Sequence, residues 1–164
     1  TKYVSANTPL FIGSLHFKIL DIPGHTQDHI GYYEANKKFL LCGDTLFHLG
    51  CGRNFEGSPL DLYRSLQKIQ KLPQETQLFA AHEYTLNNLA FCQAYFSKTY
   101  DFSPIEKKVR QSLDSKGCSL PTSLKEQNHF NPFLNTHQEW VQKALHKQTP
   151  QEAFLHLRAL KDNF

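Results

Sequence analysis

The sequence predicts an α+β chain in which a strand-rich front, residues 1–83, gives way to a helical back, residues 84–164. Three observations predict it. Short apolar or alternating runs broken by Gly and Pro dominate as far as His82, apolar residues recur at helical spacing from Tyr84 onward, and the pattern changes between His82 and Asn88.

The elements follow in order. His16 to Ile22 alternates well enough for a strand, and Pro23-Gly24 breaks it just before His25. Ile30 to Glu34 and Lys38 to Leu41 read as two further strands joined by the hairpin loop Ala35-Asn36-Lys37, which sets His25 and Asp44 near opposite ends of neighbouring antiparallel strands. Gly50 to Gly57 is glycine-punctuated and aperiodic, a loop free to approach a ligand closely. Ser58-Pro59 opens a helix with Leu60, Leu62, Tyr63, Leu66, Ile69 and Leu72 on its apolar face, and Pro73 stops it. Gln77 to Ala81 is a short buried strand ending at His82. Behind it come helices marked by Leu86, Leu89, Ala90 and Tyr95, by Ile105, Val109 and Leu113, and by Trp140, Val141, Ala144 and Leu145. Thr149-Pro150-Gln151-Glu152 announces the last helix as a capping box.

Composition narrows the function classes. A net charge of +3 without Lys/Arg blocks argues against a nucleic-acid partner and suits an anionic small molecule. No apolar stretch approaches the roughly 20 residues that cross a bilayer, so no membrane partner is expected. Cys42, Cys51, Cys92 and Cys118 are widely spaced, which supports neither a zinc knuckle nor a disulfide framework and points to a reducing, cytoplasmic setting. The absence of any Met predicts that Thr1 is not a natural start and that the chain is a piece of a longer one.

The chemistry centres on Leu40 to Phe47, a strand delivering the carboxylate of Asp44 just past Gly43. An unpaired carboxylate beside a core is costly unless a metal or hydrogen bonds hold it. The candidate partners are His25 and His82, each at the end of its own strand-like run. Two imidazoles and one carboxylate suit zinc or a similar divalent ion, with Asp44 placed to bridge two of them. The structural alternative is that each histidine caps a turn or fills a core niche, and spacing alone does not displace it.

The local contexts are more specific than the ligand types. Pro23-Gly24-His25-Thr26 with His29, Gly43-Asp44-Thr45-Leu46-Phe47, Gly50-Cys51-Gly52-Arg53 with Phe55-Glu56-Gly57, His82-Glu83-Tyr84-Thr85 with Asn87-Asn88-Leu89, and Asn131-Pro132-Phe133-Leu134 resemble glyoxalase II, the hydroxyacylglutathione hydrolases. The resemblance implies that residues 1–83 are the C-terminal part of a metallo-β-lactamase-like αββα sandwich and that residues 84–164 are a helical glutathione-binding domain. It makes His25 a ligand of a first metal, Asp44 the bridging catalytic ligand and His82 a ligand of a second. The ions implied are a pair of divalent metals, zinc first, with iron or manganese served by the same ligands. For glutathione it points to Arg53, Tyr84, Asn88, Arg158 and Lys161. By sequence alone, Arg158 and Lys161 are a solvated helix face. His29 is expected to make a supporting hydrogen bond, Cys51 to be a packed thiol, and His16, His48, His129, His137, His146 and His156 to be surface or capping residues.

The family also carries an upstream Thr-His-x-His-x-Asp-His segment that completes both metal sites, and this sequence contains none. Weak metal binding by the chain itself is therefore expected, together with an uncovered sheet face. Asp28 stands where Gly is usual, and Phe55 where many members have Tyr. The activity implied is hydrolysis of S-D-lactoylglutathione to D-lactate and glutathione by a monomer. The alternative is a catalytically inactive remnant that at most binds glutathione conjugates.

Overall fold

The computed structural model describes residues 3–6 and 8–164; residues 1, 2 and 7, and with them the expectation attached to Thr1, lie outside that description. Eight strands and six helices follow one another along it. In chain order they are β1 Leu10–Ile12, β2 Leu15–Asp21, β3 Ile30–Glu34, β4 Phe39–Gly43, β5 Leu46–Phe47, β6 Gly50–Cys51, α1 Pro59–Gln70 and β7 Gln77–Ala80, then α2 Thr85–Phe96, α3 Ser103–Lys116, β8 Thr122–Ser123, α4 Leu124–Phe130, α5 Glu139–Leu145 and α6 Pro150–Asp162. The predicted α+β class is the observed one.

Strand direction decides where the chemistry falls. The main sheet has the order β1-β2-β3-β4-β7-β8, with β2, β3 and β4 antiparallel in succession and β7 parallel to β4. Strands β2, β4 and β7 therefore all end at one edge of the sheet. This corrects the sequence expectation for His25 and Asp44. His25 follows β2 and Asp44 follows β4, two parallel strands with β3 between them, so both lie at the same edge and not at opposite ends of adjacent strands.

Helix α1 starts where the sequence places it. Ser58 accepts from the Leu60 N–H, Asp61 returns a bond to the Ser58 N–H at 3.1 Å, and Pro59 occupies the first turn. At α6 the Thr149 hydroxyl accepts from the Glu152 N–H at 3.3 Å and donates to the Glu152 carboxylate at 2.8 Å. The buried face of α2 differs from expectation. Leu89 is inside, but its apolar buried companions are Phe91, Cys92 and Phe96, while Leu86, Ala90 and Tyr95 are exposed.

One hydrophobic core joins the two halves. Leu20, Ile22, Tyr33, Leu40, Cys42 and Leu78 face it from the sheet, and Leu62, Leu66, Ile69, Phe91, Phe96, Phe154 and Leu157 from the helices. Strand β8 lies in the helical half yet pairs with β7, placing Thr122 opposite Leu78. The opposite sheet face carries the cross-strand row Ile19, Tyr32, Leu41 and Phe79. Leu41 and Phe79 are 38% and 40% exposed there, so part of an apolar sheet face meets solvent.

Candidate metal centre

The shared edge of β2, β4 and β7 brings three predicted residues together. His25 Nε2 lies 3.9 Å from Asp44 Oδ2, and His82 Nε2 lies 3.4 Å from Asp44 Oδ1. Among the described residues the Asp44 carboxylate accepts no hydrogen bond, so two imidazoles flank an acid with no other partner. His25 is oriented from behind: its Nδ1 sits 2.9 Å from the Arg53 carbonyl, which places the proton there and turns the Nε2 lone pair toward Asp44. Phe55 packs edge-on against the same ring at 5.0 Å. His82 stacks on Tyr84 at 5.0 Å, and the Tyr84 ring meets Phe47 at 5.2 Å.

The backbone around Asp44 explains the glycines beside it. Gly43 has φ +54, and a Cβ there would stand 2.7 Å from His29 Cε1. Gly52 packs so closely that a Cβ would overlap the Asp44 carbonyl oxygen, while its N–H donates to the Thr45 carbonyl at 3.2 Å. His29 Nε2 accepts from the Asp44 N–H at 3.2 Å, and its Nδ1 faces the Thr45 hydroxyl at 3.3 Å, which in turn donates to the Ile22 carbonyl. Burial, helped by the nearby His25 and opposed by Asp44, lowers the His29 pKa and favours this neutral form.

A second family of contacts ties the His82 loop to the helices. The Glu83 carboxylate accepts from the N–H of Ser119 at 2.6 Å, its hydroxyl at 2.9 Å, the Cys118 thiol at 3.2 Å and the Thr85 N–H at 3.3 Å. Burial alone would raise its pKa, but these donors outweigh it and bring it down to about 2. Sequence reasoning missed this clamp because Cys118 and Ser119 lie 35 and 36 residues away. His48, expected at the surface or in a cap, is instead 3% exposed, with Nδ1 3.1 Å from Ser119 Oγ and Nε2 3.3 Å from Glu126 Oε1. Cys51 is buried as expected, which pushes its thiol up to about 11.

The comparisons with known proteins add to this geometry. A family model for the hydroxyacylglutathione hydrolase C-terminus matches residues 83–164, and one for the metallo-beta-lactamase superfamily matches residues 10–82. The chain belongs to the hydroxyacylglutathione hydrolase family. A relative from Hamiltonella defensa named hydroxyacylglutathione hydrolase is 41% identical over 157 residues, 94% of this chain. The chain spans only 62% of that relative's length. ETHE1 from Myxococcus xanthus superposes with a TM-score of 0.59 at 25% identity, covering 95% of this chain and 50% of the other. The B3 metallo-beta-lactamase BLEG-1, at 22% identity, covers 80% of this chain and 47% of that one with a TM-score of 0.54, and shows the same fold.

Membership in a metallo-beta-lactamase superfamily implies divalent metal, and the donors can be tested against it. Neighbouring ligands on a tetrahedral zinc are roughly 3.3 to 3.6 Å apart for bonds of 2.0 to 2.2 Å, close to the His–Asp spacings here. The donors fit in kind and nearly in spacing, but not in number. Shared Asp44 gives two donors to each ion, and among the described residues no set of three His, Cys, Asp or Glu side chains converges to hold one. Zinc takes three or four protein ligands, so these residues by themselves would not complete a zinc site.

The five residues that the hydroxyacylglutathione hydrolase resemblance connects with glutathione separate into two groups. Arg53 and Tyr84 are open to solvent, although Arg53 Nε lies 3.5 Å from Asp162, and Lys161 is half-buried with Nζ donating to Asn87 Oδ1 at 2.5 Å. Asn88 and Arg158 are 4% and 5% exposed. The Asn88 amide donates to the His48 carbonyl at 3.0 Å, and the Arg158 guanidinium is held by backbone carbonyls. The solvated helix face that sequence alone gives for Arg158 is therefore not what the fold provides. Asp28 and Phe55, the two departures from the family pattern, are both exposed.

Proposed function

We propose that this chain carries the Asp44 side of the metal centre and the glutathione-facing helices of a hydroxyacylglutathione hydrolase acting in cytoplasmic methylglyoxal detoxification. The substrate is S-D-lactoylglutathione, the products are D-lactate and glutathione, and the ions are a divalent pair with zinc as the first candidate. What carries the reading is the convergence of His25, Asp44 and His82 from three strand ends of like direction. A bound divalent pair supplies water of lowered pKa and polarises the thioester carbonyl.

The chain's own residues prepare that chemistry. The Arg53 carbonyl fixes the tautomer of His25, Asp44 offers one oxygen to each imidazole side, and Tyr84 holds the His82 ring by stacking. Glutathione carries two carboxylates, which suit the cations of Arg53 and Lys161. Its thiolate leaves without protonation, because a thiol pKa of about 8.5 makes it a good leaving group.

The count of donors favours a second reading for the chain by itself, a glutathione-conjugate binder without catalysis. Zinc-supplemented chain assayed for loss of thioester absorbance separates the two. Turnover that disappears in Asp44→Asn supports the hydrolase. Saturable binding of S-methylglutathione with no turnover supports the binder, and neither binding nor turnover contradicts both.

A further inference from the structure

We infer that His48 is a positioning residue for His82, carried as a buried imidazolium that ties the Glu83 clamp to Glu126. That role rests on the reading of His82 as a metal-facing group. The His82 ring has no hydrogen bond of its own among the described residues; it is placed by Asp44, by the stack on Tyr84 and by Phe47 at 6.3 Å. Where it sits therefore depends on the backbone from His82 to Tyr84, and the side chain that anchors this backbone is Glu83.

The protons available around Ser119 fix the state of His48. Thr85 Oγ1 lies 2.7 Å from Ser119 Oγ, Glu83 Oε1 2.9 Å and His48 Nδ1 3.1 Å. Glu83 accepts a backbone N–H at each of its oxygens, so it is the acceptor-only carboxylate and takes the single Ser119 proton. Ser119 then accepts from Thr85 and from a protonated Nδ1. On the far side of the ring, Nε2 makes no hydrogen bond of regular geometry and faces Glu126 Oε1 at 3.3 Å. That oxygen also accepts from Thr122 at 2.7 Å, and Lys108 pairs with the other one, so Glu126 is a carboxylate too. A ring lone pair turned toward a carboxylate is repelled, whereas an N–H there makes an ion pair. His48 thus carries both protons, and with Lys108 it balances Glu83 and Glu126. Lys116, which lines the same cavity of about 280 Å³ from α3, is exposed to solvent.

The ring works as a strut because its own end is fixed. His48 and Leu49 form the two-residue turn between β5 and β6, where the Asn88 amide donates to the His48 carbonyl at 3.0 Å and the Leu49 N–H donates to Gln127 Oε1 at 2.9 Å. Leu49 holds φ +61, a costly value for leucine that such contacts maintain.

Amide substitutions separate the two sides of the ring, because the amide nitrogen of Asn overlies Nδ1 and that of Gln overlies Nε2. In the full chain without metal, imidazole ¹⁵N spectra read His48 and His82, and a Zn²⁺ titration follows. Near neutral pH, wild-type His48 is expected to show two N–H nitrogens. His48→Gln should displace the His82 signals and weaken Zn²⁺ binding by about tenfold, while His48→Asn, which keeps a donor to Ser119, leaves those signals in place and the affinity within about twofold of wild type. A histidine that merely fills space would make the two variants equivalent. Equal effects, undisplaced His82 signals in His48→Gln, or an unprotonated nitrogen on wild-type His48 would each overturn the inference. Should neither variant fold, Ser119→Ala cuts the same link and leaves the ring: displaced His82 signals support the role and unchanged ones overturn it. A wild type that binds no Zn²⁺ contradicts the metal reading alone, since the His82 signals are read without metal.

Discussion

At the scale of single residues, the centre depends on a few groups that hold others. Asp44 is exposed to two imidazoles because Gly43 makes room for His29 beneath it and Gly52 lets the neighbouring turn press against its carbonyl. Gly52→Ala should therefore force the turn away, lowering stability by about 2 kcal/mol or more in urea denaturation, as overpacked sites do. An unchanged midpoint would mean that the turn is not pressed there. The identities of His25, Asp44 and His82 were legible in the sequence because Pro23-Gly24, Gly43 and Ala81 mark strand ends. The burial of Asn88 and Arg158 was not legible, because it depends on contacts 40 and more than 100 residues away.

Among the elements, strands and helices with clear punctuation were readable and very short ones were not. Strands β5, β6 and β8 have two residues each, too few to show a period, and β1 has three. Helix α4 was missed although Ser123, whose hydroxyl accepts from the Glu126 N–H at 3.2 Å, stands three residues before an acid. For α2 the reading chose the wrong stripe, since Leu86 and Tyr95 look as apolar in sequence as Phe91 and Phe96 that displace them from the core. Direction was the larger gap: a hairpin loop shows that β3 and β4 are antiparallel, but nothing local shows that β7 returns parallel to β4. Helix α6 carries Arg158 and Lys161, so its cap has consequences beyond itself. Thr149→Ala is expected to cost about 1 kcal/mol of unfolding free energy in a denaturant titration, and a change below about 0.3 kcal/mol would show that the cap is idle.

Across the whole molecule, the helical half is fastened to the sheet by polar clamps as well as by the core. Glu83 is tied to Ser119, and Glu126 is held by His48, Lys108 and Thr122. Burial alone would raise the Glu126 pKa, but these partners bring it down to about 2, as for Glu83. Both carboxyls sit below the value of 4.5 that they have outside the fold, so their stabilisation is complete above that pH and is lost as pH falls toward 2. After solvent screening, each contributes on the order of 1 kcal/mol. Thermal melting should fall steeply between about pH 5 and pH 2, and Glu126→Gln should flatten the slope; a variant with the wild-type slope would remove Glu126 from the account. No helix among the described residues is long and apolar enough to cross a membrane.

The claim on which these scales converge is that one carboxylate is shared between two histidine-flanked ion positions. Competition of the chain with a chromophoric chelator for Zn²⁺ tests it most directly. The account predicts measurable binding that weakens by about tenfold or more in Asp44→Asn and falls separately in His25→Ala and His82→Ala. Wild-type affinity retained in Asp44→Asn would contradict it.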